Sequence, residues 1–151
     1  MALDRRLLIL SCSRRKRPDA DLMPALERYD GGGFRVLRKL QRTNKLPTSL
    51  DVMILSAQYG LISAATSIAW YDQKMTPQLA SELREDVSQR LRDRLAETPY
   101  TEIFMLLGET YREALDIAIF TDVKSRIIFS QGGIGQQLRQ LKNWLVSTKD
   151  E

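Results

Sequence analysis

The chain has 151 residues, of which 43% are hydrophobic and 28% are charged, so it can form one domain with its own core. No apolar stretch approaches the ~20 residues of a membrane-spanning helix, and the N-terminal apolar run is too short for a signal peptide. Histidine is absent and cysteine occurs once, which excludes an internal disulfide and histidine-dependent catalysis and disfavours a zinc site. We therefore expect a cytoplasmic protein without a membrane partner, cofactor or metal.

The net charge of +4 is unevenly distributed. Residues 1–45 carry 12 Lys and Arg against 5 Asp and Glu, whereas the remaining residues carry 11 against 14. A basic N-terminal third is typical of a protein with an anionic partner, such as nucleic acid or a phosphorylated ligand. A solvated charged surface without a partner explains the same imbalance, so charge alone leaves both interpretations open.

Apolar runs and helical patterns alternate along the chain. Runs without strict alternation predict four buried strands, at residues 6–10, 51–55, 102–107 and 126–129. Helical spacing of apolar residues predicts helices at residues 34–41, 79–95, 111–119 and 134–145, the second of which is capped by Thr76 and Pro77. We therefore predict the α/β class: a single three-layer domain over residues 1–151, with about four mostly parallel strands and helices on both faces.

Two segments between these elements are predicted to be loops. The three glycines at Gly31, Gly32 and Gly33 read as a loop that permits positive φ or a close approach of the backbone. Residues 57–75 lack a clear periodicity, and a loop of that length within one domain is often functional.

Polar residues follow the first strand at once. They comprise two hydroxyls and a thiol, followed by a run of cations: Ser11, Cys12, Ser13, Arg14, Arg15, Lys16 and Arg17. Open α/β sheets bind ligands at the carboxyl ends of their strands, and this segment offers groups for a phosphate or the edge of a base. It lacks the glycines of a P-loop. Cys12 beside these cations is a candidate reactive thiol, and a buried cysteine next to a solvated basic loop is the alternative.

The second strand ends in the same way. Ser56 follows it, and Gly60 is predicted to make a tight turn that returns the chain to the core. Farther along, Tyr71 and Asp72 supply an aromatic ring and a carboxylate. Because histidine is absent, Asp72 is our candidate for a general base, and ordering of the loop before Thr76 is the structural alternative.

The ends of the third and fourth strands are also polar. Gly108 follows the third, and Gln131, Gly132 and Gly133 lie between the fourth strand and a helix. Backbone N–H groups at such a turn are candidates for contact with an anion.

These motifs resemble a family of small bacterial proteins of unknown function. The matching segments are Ser-Cys-Ser-x-x-Lys at 11–16, Ile-Leu-Ser-Ala-x-Tyr-Gly-Leu-Ile at 54–62 and Ile-x-x-Tyr-Asp-x-x-Met at 68–75. Residues 56–75 also resemble part of the larger YaaA peroxide-stress proteins, which are described as DNA-binding. The resemblance suggests a fold similar to uracil-DNA glycosylases. It implies a pocket lined by Ser11, Cys12, Ser13, Lys16, Ser56, Tyr59, Gly60, Tyr71 and Asp72.

These observations lead to one functional hypothesis and its rivals. We expect the pocket to bind nucleic acid, with DNA favoured over RNA, or a nucleotide-like ligand. If the protein is an enzyme, N-glycosidic cleavage or base exchange with Asp72 as the catalytic residue is favoured, and Arg14, Arg15 and Arg17 contact nucleic acid. The alternatives are a non-enzymatic DNA-binding stress-protection protein, a small-molecule nucleotide sensor and a thiol-dependent redox protein built on Cys12.

Overall fold

The computed structural model describes residues 4–147, and two sheets form within that range. The strands are β1 (Arg6–Ser11), β2 (Met23–Pro24), β3 (Leu50–Ser56), β4 (Gly60–Ser63), β5 (Ser67–Ile68), β6 (Glu102–Leu106) and β7 (Arg126–Phe129). The main sheet has the order β4-β3-β1-β6-β7, with β4 antiparallel to β3 and all other pairs parallel. Strands β2 and β5 pair separately. The predicted α/β class is confirmed.

The helices cover both faces of the main sheet. They are α1 (Ala25–Arg28), α2 (Gly32–Arg42), α3 (Pro77–Glu97), α4 (Glu109–Arg112) and α5 (Ile134–Val146), with a 3₁₀ turn at Ile117–Phe120. Helices α2 and α5 pack against each other, whereas α3 packs against β4 and α4. Among residues 4–147, no helix is both long and apolar enough to cross a membrane.

The apolar runs form the core as their composition predicts. The β1 side chains Leu7, Leu8, Ile9 and Leu10 are completely or almost completely buried in the centre of the sheet. The predicted start of α3 is also confirmed, because Thr76 Oγ1 accepts a hydrogen bond of 3.1 Å from the Leu79 N–H and Pro77 occupies the first turn.

The prediction that the three glycines form a loop is wrong. Gly31 immediately precedes α2, and Gly32 and Gly33 form its first turn. A Cβ atom at Gly32 would lie 2.8 Å from Leu138 on α5, and one at Gly33 would lie 2.8 Å from Leu106 on β6. The glycines therefore let α2 lie close to its neighbours, so their role is close packing.

Two other predicted elements differ from the structure. Gly60 makes the predicted turn with a φ of +74°, but the returning chain forms β4, which adds a fifth strand to the sheet. The helix predicted over residues 111–119 is interrupted: α4 ends at Arg112, and the Asp116 side chain caps a separate 3₁₀ turn by accepting from the Ala118 N–H. A side-chain acceptor beside the backbone favours such a new start over a continued helix.

Candidate functional site at the carboxyl edge of the sheet

The carboxyl ends of β1, β3 and β6 meet at one edge of the sheet. Ser11 is in register with Leu55, so the residues after β1 lie beside those after β3. The Ala57 N–H donates to Cys12 Sγ at 3.5 Å, and the Gly108 N–H donates to Ser11 Oγ at 3.4 Å. The structure thus brings together the polar residues that follow three different strands, as expected for an open α/β sheet.

Three buried hydroxyl groups bind one another beneath this edge; we call Tyr29, Ser56 and Tyr71 the hydroxyl triad. The Tyr29 hydroxyl donates to Ser56 Oγ at 3.2 Å and lies 2.6 Å from the Tyr71 hydroxyl, which is 2.9 Å from Ser56 Oγ. Ser56 Oγ also accepts from the N–H groups of Gln58 and Tyr59. The triad satisfies its own polar groups and fastens the Tyr71 loop to the end of β3.

Burial keeps both tyrosines of the triad protonated. It is the main cause that raises the pKa of Tyr29 and of Tyr71 well above the ordinary value of a tyrosine. The nearby Cys12 acts in the same direction on both pKa values. The two phenols are therefore neutral hydrogen-bonding groups at physiological pH.

Cys12 lies beside the triad with only 8% of its surface exposed. Its Sγ atom is hydrogen-bonded to the Tyr111 hydroxyl at 3.0 Å and accepts from the Ala57 N–H. Burial and then Cys12 raise the pKa of Tyr111, so this phenol is neutral and able to donate. The sulfur thus occupies a site with hydrogen-bond donors on two sides.

Lys16 covers the ring of Tyr71. Its Nζ atom lies 4.5 Å from the ring centroid, a cation–π geometry, and donates to the Arg14 carbonyl at 3.4 Å. Burial lowers the pKa of Lys16, and the charges of Cys12 and Asp72 partly oppose that shift. Asp72 itself is exposed.

Ser13 holds the basic segment against the start of α2. Its Oγ atom accepts from the Gly31 N–H at 3.2 Å and donates to the Arg15 carbonyl at 2.5 Å. That carbonyl also accepts from the Asp30 N–H. Like Ser11 and Ser56, Ser13 therefore uses its hydroxyl on protein groups.

The basic side chains of the segment divide into two kinds. Arg14 and Arg15 are exposed, and neither forms an ion pair with any residue from 4 to 147. Arg17 instead pairs with Asp19 at 3.0 Å. Arg14 and Arg15 are thus exposed cations at this edge that no acidic side chain of residues 4–147 pairs with.

Sequence reasoning missed Arg28, which is completely buried. Its guanidinium donates to four backbone carbonyls, those of Arg17 at 2.7 Å, Asp19 at 2.8 Å, Asp21 at 2.5 Å and Ile68 at 3.3 Å. It joins the basic segment to the chain that leads into Tyr71. The one sequence signal is its position between the buried Ala25 and Tyr29, which is weak because Arg is rarely buried.

Residues 7–143 match a family described as a family of unknown function, DUF6884. The chain belongs to that family. No curated protein matches its sequence. Among solved structures, its fold is similar to that of AF0587, a protein of unknown function, with a TM-score of 0.56 and 13% sequence identity. The similarity covers 98% of this chain but only 47% of AF0587, so this chain spans about half the length of that protein.

In this DUF6884 member, the remaining predicted site residues have clear positions. The half-buried Tyr59 ring stands edge-on to Tyr71, 5.4 Å between centroids, and Gly60 makes the turn that follows it. At the far end of the sheet, the N–H groups of Gln131 and Gly133 are bound by side-chain amides of α5. Residues 4–147 contain no group of three His, Cys, Asp or Glu side chains placed to hold a metal.

Proposed function

We propose that the carboxyl edge binds an anionic ligand that contains a nucleobase, either a nucleotide or a residue of a nucleic acid. The observation that carries the proposal is the position of Lys16. Its ammonium group lies 4.5 Å from the centroid of the Tyr71 ring, on the segment that also exposes Arg14 and Arg15. Cations at the carboxyl end of a parallel sheet are a usual means of binding phosphate.

Lys16 and its neighbours supply the phosphate contacts. An ammonium group has three N–H donors, and Lys16 uses one of them on the Arg14 carbonyl. The remaining donors are free for phosphate oxygens, and Arg14 and Arg15 add two exposed cations beside them. The hydroxyls of Ser11, Ser13 and Ser56 already bind protein groups, so the cations carry this part of the proposal.

The aromatic residues next to the cluster supply the base contacts. Lys16 covers Tyr71, but Tyr59 is only half-buried, and Trp70, which precedes Tyr71, is 51% exposed. Stacking of a base on an aromatic ring contributes about 1–3 kcal/mol. A nucleotide held by Lys16 through its phosphate would thus place its base near an exposed ring.

The associated reaction is hydrolysis of an N-glycosidic bond. Water attacks C1′ of the sugar as the C1′–N bond breaks, and the departing base takes the bonding electrons. Asp72 accepts one proton of the water and returns it through solvent to the base, while the other proton stays on the new C1′ hydroxyl. Asp72 supports this role because it is an exposed carboxylate that directly follows Tyr71, the residue whose ring Lys16 covers. The resemblance of residues 56–75 to YaaA proteins, which are described as DNA-binding, favours a substrate that contains a nucleobase.

Calorimetric titration with the four nucleoside monophosphates tests the binding site. Lys16→Met should weaken binding about tenfold or more, because the phosphate loses its principal cation. Lys124→Met is the matched control, since Lys124 is exposed and precedes β7 at the opposite edge of the sheet. Binding of none of the four nucleotides, or equal affinity of the Lys16 variant and the control, would contradict the proposal.

Incubation with DNA that carries modified or damaged bases tests the reaction. Abasic sites should form with the unmodified protein and not with Asp72→Asn, which retains the shape of the side chain but not its charge. Absence of abasic product on every substrate would reject the hydrolase and leave a binding protein.

The surroundings of Cys12 favour one alternative, a thiol-dependent function. Its sulfur accepts from the Ala57 N–H, is hydrogen-bonded to the Tyr111 hydroxyl and is followed in the chain by a run of cations, which are surroundings in which reactive cysteines occur. Cys12→Ser separates the alternatives. Nucleotide binding should survive the change if the site is a binding pocket, whereas a thiol-dependent activity should be lost.

A further inference from the structure

The layer formed by α2 and α5 contains basic residues and no acidic ones. Helix α2 contributes Arg35, Arg38, Lys39 and Arg42, and helix α5 contributes Arg139 and Lys142. The connected residues 43–45 and 130–133 add Lys45 and no acid. The layer therefore creates a positive potential across one whole face of the domain.

The cations of the two helices differ in whether an acidic side chain pairs with them. Arg35 and Arg38 share Asp30, at 3.2 and 2.5 Å. By contrast, Lys39, Arg42, Arg139 and Lys142 are exposed and form no ion pair within residues 4–147. We call these four side chains the cationic face.

The opposite helical layer shows that this charge is local. Helix α3 contains five acidic and four basic residues. Two of its arginines are paired, Arg90 with Asp86 at 3.0 Å and Arg92 with Asp116 at 3.7 Å. The excess of basic residues is therefore concentrated on the α2–α5 side.

The cationic face continues into the carboxyl edge. Helix α2 begins beside Ser13, whose Oγ atom accepts from the Gly31 N–H, and α5 begins shortly after β7 ends. Both helices thus direct the positive ends of their dipoles towards the edge that exposes Arg14 and Arg15. At 1.5 Å per residue, the two helices extend about 17–20 Å away from that edge, roughly the length of six stacked nucleotides.

The surface of α5 also carries neutral groups suited to nucleic acid. A groove of about 430 Å³ is lined by Arg139 together with amides and a glycine: Gln131, Gly132, Gln136, Gln140 and Asn143. Gln140 is held by the backbone of Gln131, whereas Asn143 and Arg139 are exposed. Amide and guanidinium groups are the side chains that most often bind phosphates, sugars and base edges.

We infer that the cationic face binds the phosphate backbone of a nucleic-acid strand and leads that strand to the carboxyl edge. This inference rests on the proposed function and narrows its ligand from a free nucleotide to a nucleotide within a polymer. A lipid surface fits less well, because Ile134 is the one large apolar side chain that α2 and α5 expose.

Oligonucleotide binding measured over a range of salt concentrations tests this inference. The double variant Lys39→Gln/Arg139→Gln removes one cation from each helix. The control Arg84→Gln/Lys124→Gln removes the same charge from exposed positions on α3 and before β7. Each protein is titrated with a 12-residue single strand, with the corresponding duplex and with a nucleoside monophosphate.

The face variant should bind one of the oligonucleotides on the order of 10- to 100-fold more weakly than the control at low salt. Its plot of log affinity against log salt should be shallower by about 1.4–1.8, because each of the two lost phosphate contacts removes roughly 0.7–0.9 from the slope. Mononucleotide affinity should not change. Oligonucleotide affinities and slopes equal to those of the control would overturn the inference. If the unmodified protein binds the oligonucleotide but not the mononucleotide, the result would contradict the proposed nucleotide site at the carboxyl edge and not the cationic face.

Discussion

The polar cluster at the carboxyl edge has an inner and an outer part that differ in what their groups have left to bind. In the inner part, Tyr29, Ser56 and Tyr71 bind one another and two backbone N–H groups. In the outer part, Lys16 covers the Tyr71 ring, and Asp72, Arg14 and Arg15 are exposed. Both parts consist of residue types typical of active sites, but the outer part alone retains groups for a ligand.

Because of this difference, substitutions in the two parts should affect different properties, the stability of the fold and the affinity for a ligand. When the partner of a buried polar group is removed, the group stays shielded from water without a hydrogen bond, and this lowers the free energy of unfolding. An exposed cation regains its hydration when a partner is lost, so its removal affects the ligand far more than the fold. Variants of the inner part should therefore lower the free energy of unfolding, and variants of the outer part should lower affinity.

Arg28→Leu should have the largest effect on stability, because Arg28 joins the two parts. Its loss leaves four backbone carbonyls without their donor, which we expect to lower the free energy of unfolding by about 3 kcal/mol or more. Urea denaturation of Arg28→Leu and of the control Arg35→Leu measures this loss, because the ion pair of Arg35 with Asp30 is exposed and contributes little to stability. Equal costs for the two variants would show that Arg28 does not organise the site.

Ser56→Ala should have the next largest effect. It deprives Gln58 and Tyr59 of their N–H acceptor and breaks the hydroxyl triad, at a cost of about 1–3 kcal/mol. Ser11→Ala is the matched control, because Ser11 is half-buried and accepts a single long hydrogen bond of 3.4 Å. If Ser56→Ala unfolds at the same urea concentration as Ser11→Ala, the triad is not a source of stability.

A rise to alkaline pH should have the third-largest effect on stability, because it ionises tyrosines in the unfolded protein. Burial raises the pKa of Tyr29 and Tyr71, and burial with the Asp51 carboxylate raises that of Tyr100 to about 12. The native protein thus holds protons that unfolded tyrosines release near pH 10, so stability is complete below pH 10 and falls above it. Urea denaturation between pH 8 and 11 should show this fall and a shallower one in Tyr29→Phe. An identical pH dependence in that variant would contradict the assignment.

Lys16→Met should have the smallest effect on stability. The cation–π contact with Tyr71 is worth about 0.5–1 kcal/mol at a partly exposed position, and the apolar stem of methionine replaces part of the packing. Thermal unfolding should therefore change little, while nucleotide affinity falls as proposed above. A large loss of stability would show that Lys16 supports the fold, as the residues of the inner part do, and would contradict its assignment to the outer part.

The sequence predicts the parts of this structure that depend on local pattern. The four apolar runs became strands, and Thr76 and Pro77 marked the start of α3, because hydrophobic period and capping are local properties. The three glycines were misread because their role depends on Leu138 and Leu106, which are far along the chain.

The sequence also predicts only the part of the candidate site that depends on local pattern. Its strand-end residues do meet, because parallel strands place their carboxyl ends at one edge. The sequence does not distinguish the satisfied Ser56 from the available Lys16, since the partners of Ser56 lie 15 and 27 residues away. The burial of Arg28 depends on three carbonyls of the segment after β1 and on the Ile68 carbonyl of β5, an arrangement that no sequence pattern specifies.

NMR titration of the ¹⁵N-labelled protein with a nucleoside monophosphate tests the central claim most directly. We expect saturable shift changes that are largest at the amides of residues 12–16 and of Tyr71 and Asp72, with little change at Lys124 on the opposite edge. Absence of any saturable change, or changes confined to the opposite edge, would contradict a ligand site at the carboxyl ends of the strands.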